Sequence, residues 1–138
     1  FGDCRRLISG RTALMNEYHG FISRLSSELA PGSLIIDCHS FPSDLADIDI
    51  CIGYNDDASK PEHEMIDKAT HLFDRTGFKV GLNNPYSNSI TPKKPVDYKS
   101  LMIEVNKRCY MNEGTLARTV GYDIISGLVN DFYRLVLA

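Results

Sequence analysis

The stretch Ser33-Leu34-Ile35-Ile36-Asp37-Cys38 decides the fold. It is short, apolar, rich in branched side chains and bounded by turn residues, Pro31-Gly32 before it and Pro42 after it, as a buried strand is. Immediately upstream, Leu14, Tyr18, Phe21, Ile22, Leu25 and Leu29 recur at steps of three and four residues. That stripe predicts an amphipathic helix over residues 10–29, which Pro31-Gly32 ends. Downstream, after a Pro/Asp-rich loop, Ile48-Asp49-Ile50-Cys51-Ile52-Gly53 repeats the strand pattern.

Working further outward, Pro61-Glu62 suits the first turn of a second helix, whose apolar positions are Met65, Ile66, Ala69, Leu72 and Phe73 and whose cap is Gly77. Residues 78–82 form a third strand candidate. Residues 83–98, with three prolines, read as a long loop, and loops of that length in a compact domain usually carry function or are disordered. Leu101-Met102-Ile103-Glu104-Val105-Asn106 is the fourth strand, and residues 116–137 the last helix, with Val120, Ile124, Leu128, Phe132 and Leu135 on its apolar face. Strands alternating with helices imply an α/β layered sheet with helices on both faces.

The 138 residues match one domain, spanning 1–138. Hydrophobic residues at 43% and charged residues at 24% are ordinary globular usage and exclude a disordered or coiled-coil chain. A net charge of −3, with both signs interspersed, leaves no basic footprint, so neither nucleic acid nor a membrane surface is an expected partner. No apolar run approaches the roughly 20 residues that span a bilayer. Cys4, Cys38, Cys51 and Cys109 are scattered, as reduced, mostly buried thiols of a cytoplasmic protein would be. A chain beginning at Phe1 instead of methionine is expected to have lost an upstream part.

Several chemical signals fail. Glu62-His63-Glu64 lacks the second histidine of a zinc-binding H-E-x-x-H helix, because Asp67 stands four residues after His63; a Glu64–Lys68 pair on a solvated face explains the charges. There is no G-x-S-x-G, G-x-G-x-x-G or P-loop motif. Cys38 and His39, adjacent in extended chain, project to opposite faces and cannot form a dyad. Asp44, Asp47, Asp49, Asp56 and Asp57 lack calcium-loop spacing and read as loop solvation.

Two residues survive. His39 follows the first strand, where Ser40, Phe41 and Pro42 are expected to stop it, and ligands of open α/β sheets collect at the carboxyl ends of strands. A lone histidine is more often structural, so position alone leaves both readings open. Glu104 is a carboxylate inside an apolar strand, where an unpaired charge costs several kcal/mol. It is either a carboxylate facing water or a functional one. Period-two alternation puts Met102, Glu104 and Asn106 on one side.

Four segments together carry a resemblance. Ile36-Asp37-Cys38-His39-Ser40-Phe41-Pro42-Ser43, then Asp47-Ile48-Asp49-Ile50-Cys51-Ile52-Gly53, then Asn84-Pro85-Tyr86, then Ile103-Glu104-Val105-Asn106-Lys107-Arg108-Cys109-Tyr110-Met111 resemble, in order and spacing, the N-formylglutamate amidohydrolase family. The resemblance implies a zinc-carboxypeptidase-like fold, a three-layer mixed sheet, and a zinc-dependent amidohydrolase acting on a small N-acyl amino acid. It implies that His39 is a zinc ligand and Glu104 the general base. Ser40, Tyr86 and Asn106 are expected to line the substrate pocket, from their place beside these motifs or on the strand face of Glu104. Where the family has Gly-Gly after its Pro-Tyr segment, this chain has Asn88-Ser89, and it has Lys107 where the family often has arginine. The family's other zinc ligands precede its Asp-x-His segment, and residues 1–10 contain neither, so the chain is expected to be the carboxyl-side part of the domain. Tyr18-His19 is read as helix packing or surface. As a partial domain it is expected to leave a patch or strand edge open to the missing amino-side segment or another chain. The alternative is a non-catalytic binding or structural derivative of the same fold.

Overall fold

The computed structural model describes residues 8–137. A four-stranded mixed sheet in the order β1-β4-β2-β3 forms its centre, with β1 at Ser33–Phe41, β2 at Ile50–Gly53, β3 at Val80–Leu82 and β4 at Tyr98–Asn106. β1 runs parallel to β4 and β2 parallel to β3, while β2 and β4 are antiparallel. Helix α1 covers Ile8–Glu28, α2 His63–Asp74 and α3 Gly121–Leu137.

Alternation along the strands separates the two faces of the sheet. Ile50, Ile52, Leu101, Ile103 and Val105 meet Ile66, Ala69, Leu72 and Phe73 of α2 and Ile125, Leu128 and Phe132 of α3 in one core. The opposite face carries Ile35, Asp37, His39 and Phe41 of β1, Met102 and Glu104 of β4, and Cys51 and Gly53 of β2. There the apolar packing is divided into two small groups, Phe41 with Ile48, Cys51 and Met102, and Ile35 with Leu29 and Tyr98.

Helices on both faces were expected, and coverage is unequal. α2 and α3 share one face. α1 reaches the other only through its C-terminal end, where Leu25 packs with Leu29, Ile35 and Tyr98. Of its remaining stripe, Ile22 is half-buried at the cleft and the rest is exposed: Leu14 at 65%, Tyr18 at 53% and Phe21 at 45%. Periodicity identifies the helix correctly but cannot say how much of its apolar face finds a neighbour. Among the described residues, β1 bonds only to β4, so its outer edge has no strand beside it.

Several boundaries also differ from the sequence expectation. β1 does not stop at Cys38: its ladder with β4 runs on to Phe41 opposite Asn106, and the fully buried Phe41 ring anchors the end. His39 therefore lies inside the strand. Pro61 and Glu62 precede α2, with Glu62 in the N-cap position, and Gly77 follows it at φ 88°. The last helix starts at Gly121 because residues 112–117 form a turn: the Asn112 side chain accepts from the Gly114 and Thr115 N–H groups, and Leu116 sits at φ 59°. Its buried stripe is Ile125, Leu128 and Phe132, with Val120 at 88% and Ile124 at 55% exposed. The acidic loop is ion-paired as well as solvated, since Asp47 meets Lys79 and Asp49 meets Arg108. The Glu64–Lys68 pair forms as expected, at 2.6 Å. No described helix is long and apolar enough to cross a membrane.

Candidate active site

Register brings His39, Glu104 and Cys51 into one row across β1, β4 and β2, all on the face away from α2 and α3. The neighbouring row holds Asp37, Met102 and Gly53. Cys38 points the other way, its Sγ 3.5 Å from the Tyr133 hydroxyl on α3, which bears out the argument against a Cys38–His39 dyad.

Two residues apart on one strand, Asp37 and His39 share a face, and Asp37 Oδ1 lies 2.7 Å from His39 Nε2. The second Asp37 oxygen accepts the Ile90 N–H at 3.1 Å. The imidazole is half exposed, while the Asp37 side chain is 10% exposed.

Glu104 is 7% exposed, and its Oε2 is buried without a hydrogen-bond partner. Burial drives its carboxyl above the ordinary value of 4.5, His39 opposes that rise, and Asp37 adds to it. A carboxyl group held this way keeps its proton to higher pH than an exposed glutamate does. Burial likewise pushes the neighbouring Cys51 thiol up.

Residues 83–97 form the far wall. The loop is tied down at several points: the Cys51 thiol donates to the Tyr86 carbonyl at 3.3 Å, Asn55 exchanges hydrogen bonds with the Ser89 backbone, and the Ser100 hydroxyl donates to the Ile90 carbonyl at 2.7 Å. Glycine makes the approach possible. A Cβ at Gly53 would stand 3.0 Å from the Asn88 carbonyl oxygen, and one at Gly81 would stand 2.7 Å from that of Asn84. Between loop, sheet and α1 lies an open cleft of about 960 Å³, with His39, Glu104 and Asp37 on its floor and Tyr86, Lys93 and Tyr18 among its walls.

The profile of the N-formylglutamate amidohydrolase family matches residues 10–111, well over half of the chain. The chain belongs to that family. It is also similar to the crystal structure of N-formylglutamate amidohydrolase from Ralstonia eutropha JMP134, with 23% identity and a TM-score of 0.59 over 96% of this chain and 52% of that one. At that identity the likeness speaks for the fold, and the chain spans about half the length of that structure. No curated protein matches.

Of the residues that the N-formylglutamate amidohydrolase resemblance singled out, the structure gathers His39, Glu104 and Tyr86 in the cleft. It does not bring Ser40 or Asn106 there. Ser40 lies on the α3 face, beside Val105, Tyr122 and Ile125. Asn106 is on the Glu104 side of the strand but fully buried, its Nδ2 donating to the Ile48 carbonyl at 3.0 Å and its Oδ1 accepting from Arg108 N. Arg108 turns to Asp49, 2.9 Å away. Sequence reasoning missed Asp37, which the alternation from His39 would have placed on the same face. It also missed Cys51, whose place depends on a register no sequence pattern states. Tyr18, read as surface or packing, stands at the cleft wall.

His39 fits a zinc ligand: its Nδ1 has no partner among the described residues, and a carboxylate backs its other nitrogen. The described residues do not supply the whole set, since no three His, Cys, Asp or Glu side chains among them converge as a metal site.

Proposed function

We propose that this chain is the carboxyl-side part of a metal-dependent amidohydrolase with a zinc-carboxypeptidase-like fold, hydrolysing the amide of a small N-acyl amino acid such as N-formylglutamate. The observation that carries the reading is Glu104, a buried carboxylate with an orphaned oxygen, one strand from His39 on the floor of a cleft. His39 would be one ligand of a zinc ion whose other ligands come from outside the described residues. Such an ion supplies polarisation of the acyl oxygen and a bound water acidified to a pKa of about 7.

Glu104 accepts a proton from the attacking water at its carboxylate and delivers it to the leaving amine nitrogen, so the carboxylate is regenerated as the C–N bond breaks. Burial supports that double duty by bringing its proton affinity closer to neutral pH. Asp37 holds the imidazole in place, and Tyr86 offers an O–H donor from the loop. The alternation of Ser, Asn, Thr and Lys along residues 87–93 gives the cleft polar walls suited to a small charged substrate.

The test uses the protein that carries this chain, with N-formyl-L-glutamate and related N-acyl amino acids as substrates. Glu104→Gln is expected to keep fold and zinc content while losing roughly 10²–10⁴-fold in kcat. His39→Ala is expected to lose most of the zinc. Near-normal turnover in Glu104→Gln would overturn the base assignment, and unchanged zinc in His39→Ala the ligand assignment. A native protein that turns over no N-acyl amino acid would favour the non-catalytic derivative.

A further inference from the structure

We propose that Asp37 is a positioning residue that fixes His39 in one tautomer, with the ring hydrogen on Nε2 and the lone pair on Nδ1, and couples that choice to the seating of the cleft loop. The inference deepens the reading of His39 as a ligand and rests on it for its consequence, while the geometry stands by itself.

The two side chains are neighbours on the same face of β1, with Asp37 Oδ1 2.7 Å from His39 Nε2. An ionised carboxylate offers only acceptors, so the nitrogen facing it carries the hydrogen. In a neutral ring the other nitrogen then holds the lone pair. That nitrogen, Nδ1, meets no hydrogen-bond partner among the described residues, and the half-exposed ring lines the cleft. A histidine presented in this way is a preformed donor toward the cleft, with its orientation set from behind.

Asp37 is itself held. Its Oδ2 accepts the Ile90 N–H at 3.1 Å, and Ile90 belongs to the loop that lines the same cleft. The Ile90 carbonyl is in turn fixed by Ser100 Oγ at 2.7 Å. The carboxylate therefore cannot rotate without releasing either the loop or the imidazole. A loop displaced by an incoming ligand would act on His39 through this one side chain.

Asp37→Asn separates the two duties. The amide is nearly isosteric, and its oxygen can still accept from Ile90 N–H. Its NH2 group then faces His39 Nε2, which must accept, so the ring hydrogen moves to Nδ1. The measurement is a long-range ¹H–¹⁵N correlation spectrum of uniformly ¹⁵N-labelled protein stripped of metal by a chelator, so that no ion dictates the tautomer, at pH 8, where an ordinary imidazole is neutral, with His39 assigned by the loss of its signals in His39→Gln. Native protein is expected to show predominantly the Nε2–H form, with an Nε2 proton slow enough in exchange to be observed. Asp37→Asn is expected to show a majority of Nδ1–H, with the Ile90 amide still protected.

An Asp37→Asn spectrum that keeps the native tautomer would overturn the proposal. So would a native protein with an Nδ1–H ring or an Nε2 proton in free exchange with water, and that result needs no variant to fold. Failure of the amidohydrolase reading would look different: no turnover, with the tautomer pattern intact.

Discussion

Glu104 occupies a position where local hydrophobicity and charge disagree, flanked along β4 by buried Ile103 and Val105 and across the sheet by Cys51 and His39. Because its folded carboxyl titrates above 4.5, the folded state holds the proton more tightly than the unfolded chain does. The stability this gives is full below pH 4.5 and is lost as pH rises through the folded value. Glu104→Gln, neutral throughout, should therefore be more stable than the native chain at pH 8, with the difference shrinking toward pH 4.5. Urea unfolding midpoints at the two pH values check this, and a gain independent of pH would refute it. The same disagreement made Glu104 legible in the sequence, as did the histidine in β1. Asp37 and Cys51 were harder to see because an acidic residue at a strand and a cysteine in an apolar run are each unexceptional until register sets them beside His39 and Glu104. Ser40 and Asn106 were read from proximity to a motif. Alternation sends the first to the α3 face, and the demands of two loop carbonyls turn the second into a structural clasp.

Among the elements, the four strands and three helices were each visible as local runs in the sequence, and so were most of their ends, but the end of β1 and the starts of β4 and α3 were not. β1 runs past Cys38 because a partner strand continues to offer hydrogen bonds, which no local propensity encodes. α3 starts late because the Asn112 side chain claims the backbone of the preceding turn. The long loop was recognised by its prolines, but its seat depends on β-strand glycines that look incidental in the sequence. Gly81 is the sharper case, since a Cβ there would lie 2.7 Å from both the Asn84 carbonyl oxygen and Ile48 Cδ1. Gly81→Ala should destabilise the fold by about 1–3 kcal/mol and raise KM more than it lowers kcat, because the loop wall moves while Glu104 stays in its strand. Denaturant midpoints and steady-state kinetics read the two effects. A fully stable Gly81→Ala protein would mean that the loop yields at little cost.

At the scale of the whole molecule, the stabilising contacts are unevenly spread. Strand β4 is bonded on both sides and buried from Ser100 to Asn106, and the core between it and helices α2 and α3 contains Phe73 and Phe132 at 0% exposure. α1 is as long as any element of the fold, yet Leu14, Met15, Tyr18 and Phe21 are all exposed, and its attachment to the sheet is through Leu25 and the adjoining Leu29. A helix of that length draws most of its stability in a protein from packing, so one with little packing should open on its own well before the rest unfolds. Hydrogen exchange followed by mass spectrometry is expected to show peptides from residues 10–23 exchanging at least 10²-fold faster than peptides from β4, with α2 and α3 close to β4. Met15→Pro, which breaks α1 in its exposed half, should then leave the main unfolding midpoint nearly unchanged, whereas the same helix-breaking change in α2 would cost about 3 kcal/mol or more. Equal protection of α1 and β4 would show that the helix is held by contacts as strong as those of the core. The uneven distribution also bears on the site: His39 and Glu104 stand on the well-bonded β1–β4 ladder, while Tyr18, on the cleft wall, belongs to the helix expected to open first. The geometry of the proposed site would then survive opening of α1, and the loss would fall on the shape of the cleft, appearing, under the proposed function, as weaker substrate binding at temperatures where β4 remains fully protected.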